Sequence, residues 1–565
     1  MWVLPFLYSH HAYPISTFFQ EWGAALLGCG AITVLISKRF WQCAEVPRIV
    51  LLPAVMLLLV LLQFAQGRII NLDQALLFAL YFLWALMLVI LGKHLRDEFG
   101  VPKITTILAF FLLVGAELNA LSGIFQHYRW HTFPNALVPL QTSVAVYGNL
   151  AQPNHFASYI TLGLISLGLL FTHKTIRLWH TVLLATTLLF VLTLSGSRSS
   201  WLYLLGLLLV AFLWQRHDKA LLPLLRYYAI VLLGFGLMHL AIQIPWLANT
   251  DTSVTTVDRI FSSEVNSGSI RWALFHESWL IFSQFPVLGA GFGQFAWQHL
   301  QLDVAAHSPI IKELYNNAHN AVLQIAVEAG LVGLFVLLVT VGFWLKQTRN
   351  SVRSIYHFWG YAILLVLALH SLLEYPLWHT YFLGIATILL GLLDNTAYRL
   401  KIYNLGRIMI MAALIVGLLS LTQLFQSYRK LENTLAIRSL AAKDSRYVQP
   451  MHEALIELHG QLLLSSYAEL FLSGMTEINT DHLADKLALN ERAMRFMPIA
   501  TVVYRQAWLL ALADRHEEAL AQLSRAMWAY PGNFASAQAE LKELARENPA
   551  HFAALLEFAT KKNTK

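Results

Sequence analysis

The sequence predicts an all-α protein, a polytopic bundle of about twelve membrane-crossing helices followed by a water-soluble helical tail. Two observations carry this. Of the 565 residues, 57% are apolar and 13% charged, against roughly 45–50% and about 25% in an average soluble protein. The charge is also uneven: about 9% of the first 426 residues are charged, against about 23% of the last 139. Residues 429–565 hold 16 basic and 16 acidic side chains, so the whole net charge of +7 belongs to the apolar part. This excludes a single soluble globule and a disordered chain, and it argues against a nucleic-acid partner.

A bilayer core about 30 Å thick takes roughly 20 apolar helical residues per crossing. Twelve stretches qualify: 22–37, 48–66, 73–92, 104–122, 155–172, 178–195, 199–215, 221–244, 319–345, 357–374, 377–394 and 407–426. Each is read as a helix, because a lipid-exposed backbone must satisfy its own hydrogen bonds.

Lysine and arginine then set the direction. Seventeen fall in one set of alternate connections, from Lys38 and Arg39 to Arg407. Six fall in the other: Arg68, Arg129, Arg198, Arg259, Arg271 and Lys312. Basic residues concentrate on the cytoplasmic side, so the second set faces outward. With it go both chain ends, the long connections 123–154 and 245–318, and the tail. Residues 1–21 read as an outward interfacial segment, 22–426 as the membrane domain and 427–565 as the tail. The start lacks a basic cluster and carries Pro5, His10, His11 and Pro14, so no cleavable secretion signal is expected. Cys29 in an apolar run and Cys43 in a short basic connection suggest neither a disulfide nor a thiolate metal site.

Few cations are expected outside, so each needs a reason. Arg68 reads as a surface arginine. Arg198 lies in Ser195-Gly-Ser-Arg-Ser-Ser200, where small residues and hydroxyls surround a permanent cation. That turn is either a connector with a snorkelling arginine or an anion site. It lacks the strand–elbow–helix setting of an activated serine. The 245–318 connection carries a polar stretch from Asn249 to Ser269, then Arg271-Trp-Ala-Leu-Phe-His-Glu-Ser-Trp279 and the glycines 289, 291 and 293. With no βαβ unit around them, those glycines read as a hinge, flexible or tightly packed, and not as a nucleotide loop. The connection ends in Tyr315-Asn-Asn-Ala-His-Asn320. His319, at the mouth of the ninth span, is either structural or a group able to accept and return a proton. Glu328 and Glu117 are explained by packing and hydrogen bonding within the bundle. Asn149-Leu-Ala-Gln-Pro-Asn-His155 and His370-Ser-Leu-Leu-Glu-Tyr-Pro-Leu-Trp378 also face outward, and each alone is ordinary capping and turn chemistry.

Together these stretches resemble the O-antigen ligase superfamily, and within it the bacterial protein O-oligosaccharyltransferases of the pilin-glycosylating (PglL-like) type. The resemblance rests on Ser197-Arg198-Ser199, on the Arg271 helix with Pro286 and Gly289-Ala-Gly291, and on Asn317-Ala-His319-Asn320 with Gln324, Glu328 and Gly330. Gln152-Pro153-Asn154 and His370…Glu374-Tyr375-Pro376 suggest the protein-glycosylating branch, as does Pro5…His10…Pro14…Glu21-Trp22. It implies a GT-C-like fold in a Gram-negative inner membrane, with the outward face periplasmic. It implies an inverting transferase without metal or other cofactor, acting on an oligosaccharide carried by undecaprenyl diphosphate. The acceptor would be an exported, type IV pilin-like protein. By that likeness His319 is the base, Arg198 and Arg271 bind the diphosphate, and Gln152, Asn154, Asn320, Glu374 and Tyr375 place donor or acceptor. Guanidinium forks suit a lipid diphosphate that leaves as an anion. Trp272, Trp279, Phe292, Phe295 and Trp297 could stack on sugar rings or anchor the chain at the interface.

In the tail, Ala507, Ala519, Leu523, Ala526 and Pro531 follow a tetratricopeptide-like spacing, and Pro498 precedes Pro531 by 33 residues, close to that repeat's 34. Val503 and Leu510 stand where the repeat's Trp and Tyr are expected. The tail is either an acceptor-presenting module or a stabilising cap. Two other activities remain open: a ligase joining the glycan to lipid A–core, and a lipid-anion transporter or flippase. The latter predicts midplane charges and internal repeats, neither of which is evident.

Overall fold

The computed structural model describes residues 1–130, 137–139, 145–216, 218–244, 247, 265–302, 311, 313–349, 354–441 and 444–563. Arg259, Lys312 and residues 249–264 of the polar stretch lie outside them. Helix dominates throughout. Eight helices among the described residues are long and apolar enough to cross a membrane: Phe18–Ile36, Arg48–Ala65, Leu72–Phe99, Val101–His127, Pro153–Thr172, Leu222–Ala241, Ala321–Gln347 and Tyr403–Ile437. Four shorter apolar helices, Leu178–Leu194, Ser199–Gln215, Ile355–Ser371 and Thr380–Leu393, fall on the other four expected spans. At 1.5 Å per residue, the 14 residues of the last reach only about 21 Å. Two four-residue strands, Ala44–Pro47 and Ala397–Leu400, pair antiparallel, a small departure from an all-helical chain.

The chain divides into two compact units, Met1–Ala54 with Tyr81–Val265 and Leu337–Leu421, and Val55–Leu80 with Asn266–Val336 and Thr422–Lys565. In the first unit the helix Pro153–Thr172 is central, with 89% of its apolar window buried. Its Ala157, Ser158, Gly163, Ser166 and Gly168 are all buried, and small residues of this kind let neighbouring helices approach closely. The start of the chain is also internal to this unit. Trp2 and Phe6 are buried, and Phe6 stacks on Tyr159 at 3.9 Å. Asn149 ties this segment down, donating to Leu7 O at 2.6 Å while Gln20 donates to Asn149 O at 3.0 Å.

In the second unit the tail is a succession of helices from Val448–His459 to Pro549–Asn563. Ala507, Ala519, Leu523 and Ala526 are fully buried where the helices Ala500–Leu512 and His516–Ala529 pack together. The helix Tyr403–Ala441 runs through position 426 without a break. The tail does not pack only on itself. Leu300 is part of its apolar core, Arg495 lies 5.5 Å above the Trp297 ring, and Asp73 accepts from the Ser466 backbone N–H at 2.8 Å and from its hydroxyl at 2.6 Å.

Candidate functional site

In the first unit the polar residues collect where the helix Pro153–Thr172 begins. Gln152 is its N-cap and accepts from the His155 backbone N–H at 2.5 Å. Pro153 suits the first turn, where N–H groups have no intrahelical acceptor. The same Gln152 side chain donates to Glu374 Oε2 at 2.9 Å, and Asn154 donates to Glu374 Oε1. The Asn154 oxygen accepts from the Ser197 hydroxyl at 2.7 Å. That bond ties the turn before Arg198, whose side chain is exposed, to the same carboxylate.

Glu374 follows the helix Ile355–Ser371, and His370 Nε2 stands 3.2 Å from its Oε2. His370 Nδ1 contacts the Ser158 hydroxyl at 2.7 Å, and Ser158 donates to the Tyr203 hydroxyl at 3.1 Å. Burial pushes the Glu374 carboxyl up, but the His370 hydrogen bond and charge, with the Asn154 and Gln152 donors, outweigh it. The group ends below its ordinary value. Burial, and then the charge of Glu374, raise the neighbouring Tyr375 phenol. Beyond this pair, His155 lies 4.7 Å from the His379 ring, and His379 Nδ1 is 2.5 Å from Glu21 Oε1. Ligand atoms of His155, His370 and Glu374 lie within 4.8 Å of one another, a spacing a metal ion could use. Both His370 nitrogens and both Glu374 oxygens are engaged in the bonds just described, and His155 Nδ1 lies 3.4 Å from the Tyr381 hydroxyl.

The second unit holds His319, Asn320 and Arg271. His319 is not on the ninth apolar helix, which starts at Ala321. It sits in the turn before it, with φ +47°. Left-handed backbone is uncommon outside glycine, though histidine is among the residues enriched there. Asn317 Oδ1 accepts from the His319 N–H at 2.9 Å, and Gln324 Oε1 from the Ala318 N–H at 2.8 Å. Asn320 Oδ1 caps the helix, accepting from Val322 and Leu323 N–H at 3.0 and 3.1 Å. Asn is a favoured cap because it satisfies donors the helix leaves unpaired. Arg271 is exposed on the helix Val265–Gln284.

The glycine segment is packed and not loose. Gln63 donates to Leu288 O at 2.7 Å and to Glu328 O at 2.8 Å, and accepts from the Phe292 N–H at 3.1 Å. Glu328 Oε1 accepts from the Gly293 N–H at 2.9 Å, the packing role read for it. Gly330 breaks the helix with φ 63° and ψ −159°. Arg68 is not a plain surface residue, because it is half-buried and donates to Gly289 O. Of the aromatics, Trp272 and Trp279 are exposed, whereas Phe292 and Phe295 are buried and offer no face to a sugar.

The structure thus brings Gln152, Asn154 and Glu374 together, with Tyr375 adjacent and Arg198 linked through Ser197. It gathers His319 and Asn320 in one turn. Arg198 belongs to the first unit, and Arg271 and His319 to the second. Sequence reasoning missed Ser158, Tyr203 and His379 in the first unit, and Gln63, His299 and Trp528 in the second, while Glu21 and Glu277 stood in quoted motifs without a role of their own. His370 and Glu374 carried a local signal in their four-residue spacing.

Family models match three stretches. Residues 146–171 match one described as protein glycosylation ligase, 181–338 one described as O-antigen ligase, and 358–545 the C-terminal part of a virulence factor membrane-bound polymerase. The general O-oligosaccharyltransferase of Acinetobacter baylyi is 26% identical over 431 residues, covering 74% of this chain and 73% of that protein. The ComP-specific O-oligosaccharyltransferase of the same bacterium is 24% identical over 410 residues, covering 69% and 70%. By these matches the chain is similar to the O-antigen ligase superfamily and, within it, resembles the PglL-type protein O-oligosaccharyltransferases.

Proposed function

We propose that this protein transfers an oligosaccharide en bloc from undecaprenyl diphosphate to a Ser or Thr hydroxyl of an exported, type IV pilin-like protein. It does so at the periplasmic face of a Gram-negative inner membrane, with twelve crossings, a tetratricopeptide-like tail outside and no metal ion. The observation that carries this is the likeness over about 70% of the chain to two O-oligosaccharyltransferases.

In the reaction, a ring nitrogen of His319 takes the proton of the acceptor hydroxyl. The hydroxyl oxygen bonds to the anomeric carbon from the face opposite the carrier, and the bond from that carbon to the diphosphate oxygen breaks. The leaving diphosphate keeps the electron pair and is stabilised by Arg198 and Arg271. Fixed cations aimed at developing negative charge are commonly the largest catalytic contribution. Gln152, Asn154 and Glu374 form a preorganised donor and acceptor array linked to the Arg198 turn, suited to sugar hydroxyls, with Tyr375 adjacent, while Asn320 acts beside His319. No nucleotide donor is needed, because the lipid-carried glycan is already activated.

The match of residues 181–338 to the O-antigen ligase model favours a second reading, with the same donor and lipid A–core as acceptor. Purified protein given lipid-linked glycan, a pilin-like acceptor and no nucleotide separates them. Acceptor glycosylation that vanishes in His319→Ala supports the proposal. Glycan transfer only to lipid A–core selects the second reading, and near-normal turnover by folded His319→Ala removes the base assignment.

A further inference from the structure

Within the second unit a continuous set of contacts leads from the tail to the His319 turn. Trp528, on the tail helix His516–Ala529, meets the His299 ring edge-on with centroids 5.5 Å apart. His299 lies 6.5 Å from the Tyr315 ring, and Tyr315 lies 5.9 Å from the His319 ring. These separations fall in the range where aromatic rings attract one another. Polar contacts run alongside. His299 Nε2 is 2.5 Å from Glu277 Oε2, and both side chains are fully buried. His299 Nδ1 lies 3.2 Å from both the carbonyl oxygen and the amide nitrogen of Tyr315. Donating, it holds the carbonyl; accepting, it holds the N–H; either way the backbone four residues before His319 is fixed. The tail adds two bonds of its own. Trp528 Nε1 donates to Ile311 O at 3.3 Å, and the Leu314 N–H donates to Ala529 O at 3.4 Å.

We propose that Trp528 and the buried Glu277–His299 pair are positioning residues for His319, so that the tail is part of what aligns the base. This rests on the reading of His319 as that base. A left-handed turn is held only where its surroundings over-determine it. The surroundings here come from a helix at 265–284, from the segment at 295–301 and from the tail.

The experiment compares Trp528→Ala, Trp528→Phe and Glu277→Gln with wild type and His319→Ala, as full-length protein, with turnover normalised to folded material. Small misplacements from remote changes can cost as much as about 10²-fold in rate. The expected result is a roughly tenfold or larger loss of kcat in Trp528→Ala and Glu277→Gln, with KM for donor and acceptor unchanged. Trp528→Phe, which keeps a ring against His299, restores most of the rate. Unchanged kcat in Trp528→Ala overturns the proposal even if Glu277→Gln does not fold. So does a rise in acceptor KM at constant kcat, which would make the tail an acceptor-binding surface. If His319→Ala is itself active, the underlying reading fails; if it is inactive while the other variants keep their kcat, only the positioning role fails.

Discussion

Ser197 donates its hydroxyl to the Asn154 amide oxygen across 2.7 Å, one residue before Arg198. The arginine turn and the glutamine-capped helix start are therefore parts of one hydrogen-bonded assembly, closed by Glu374. A bare charge at a surface turn would have no such constraint.

Asn154 links Ser197 to Glu374, so Asn154→Ala leaves both without this partner. Losing a buried hydrogen-bond partner costs about 1–3 kcal/mol. We expect a lowered Tm in detergent, and a fall in turnover of about tenfold or more if the array orients substrate. Asn154→Asp should be no better, because it sets a second carboxylate against the first.

Glu374 has a lowered folded-state pKa, chiefly because His370, Asn154 and Gln152 overcome its burial. A depressed carboxylate adds stability that is complete above its unfolded pKa and lost as pH falls through the folded value. Between about pH 5 and pH 3, wild type should lose more Tm than Glu374→Gln. Equal slopes would show that the carboxylate is not held this way.

Arg198→Lys keeps the charge but gives up the planar fork. If Arg198 grips a diphosphate, kcat should fall by about 10²-fold with the protein still folded. Retained activity would reduce Arg198 to a counter-ion.

The His155, His370 and Glu374 grouping invites a direct check of the metal-independent reading. Dialysis against a chelator should leave turnover unchanged, and adding back zinc or magnesium should not raise it. A chelator-sensitive enzyme whose activity returns with one metal would reassign those three residues as ligands.

Gly330→Ala tests the packing of the glycine segment. With φ 63° and ψ −159°, this position takes a conformation nearly exclusive to glycine. An added methyl carbon would also meet the Gly289 nitrogen and the Val287 carbonyl. We expect destabilisation of about 2–3 kcal/mol or more, read as a fall in Tm.

The helices were legible because lipid imposes one rule on the whole backbone, and apolar runs with charged ends register it locally. The cap at Gln152 was legible for a similar reason: glutamine, proline and asparagine before an apolar run state where a helix begins. The partnership of Asn154 with Ser197 and Glu374 was not, because it joins residues 43 and 220 positions apart. His299 gave no signal at all, since a single histidine in a short aromatic helix looks like any other core residue. The left-handed turn at His319 was also hidden. Asn317 and Asn320 mark a boundary, but only coordinates place the helix start one residue beyond Asn320. The burial of Phe292 and Phe295 was not legible either, because aromatic content does not say which way a ring faces.

Leu300 is fully buried in an apolar cluster made mostly of tail side chains, which has a practical corollary. Residues 427–565 produced alone would carry an empty apolar socket where that leucine belongs, and would tend to fill it with another copy of themselves. A soluble fragment meant to report on acceptor recognition should therefore bring the stretch 295–301 with it, or its self-association will be mistaken for biology.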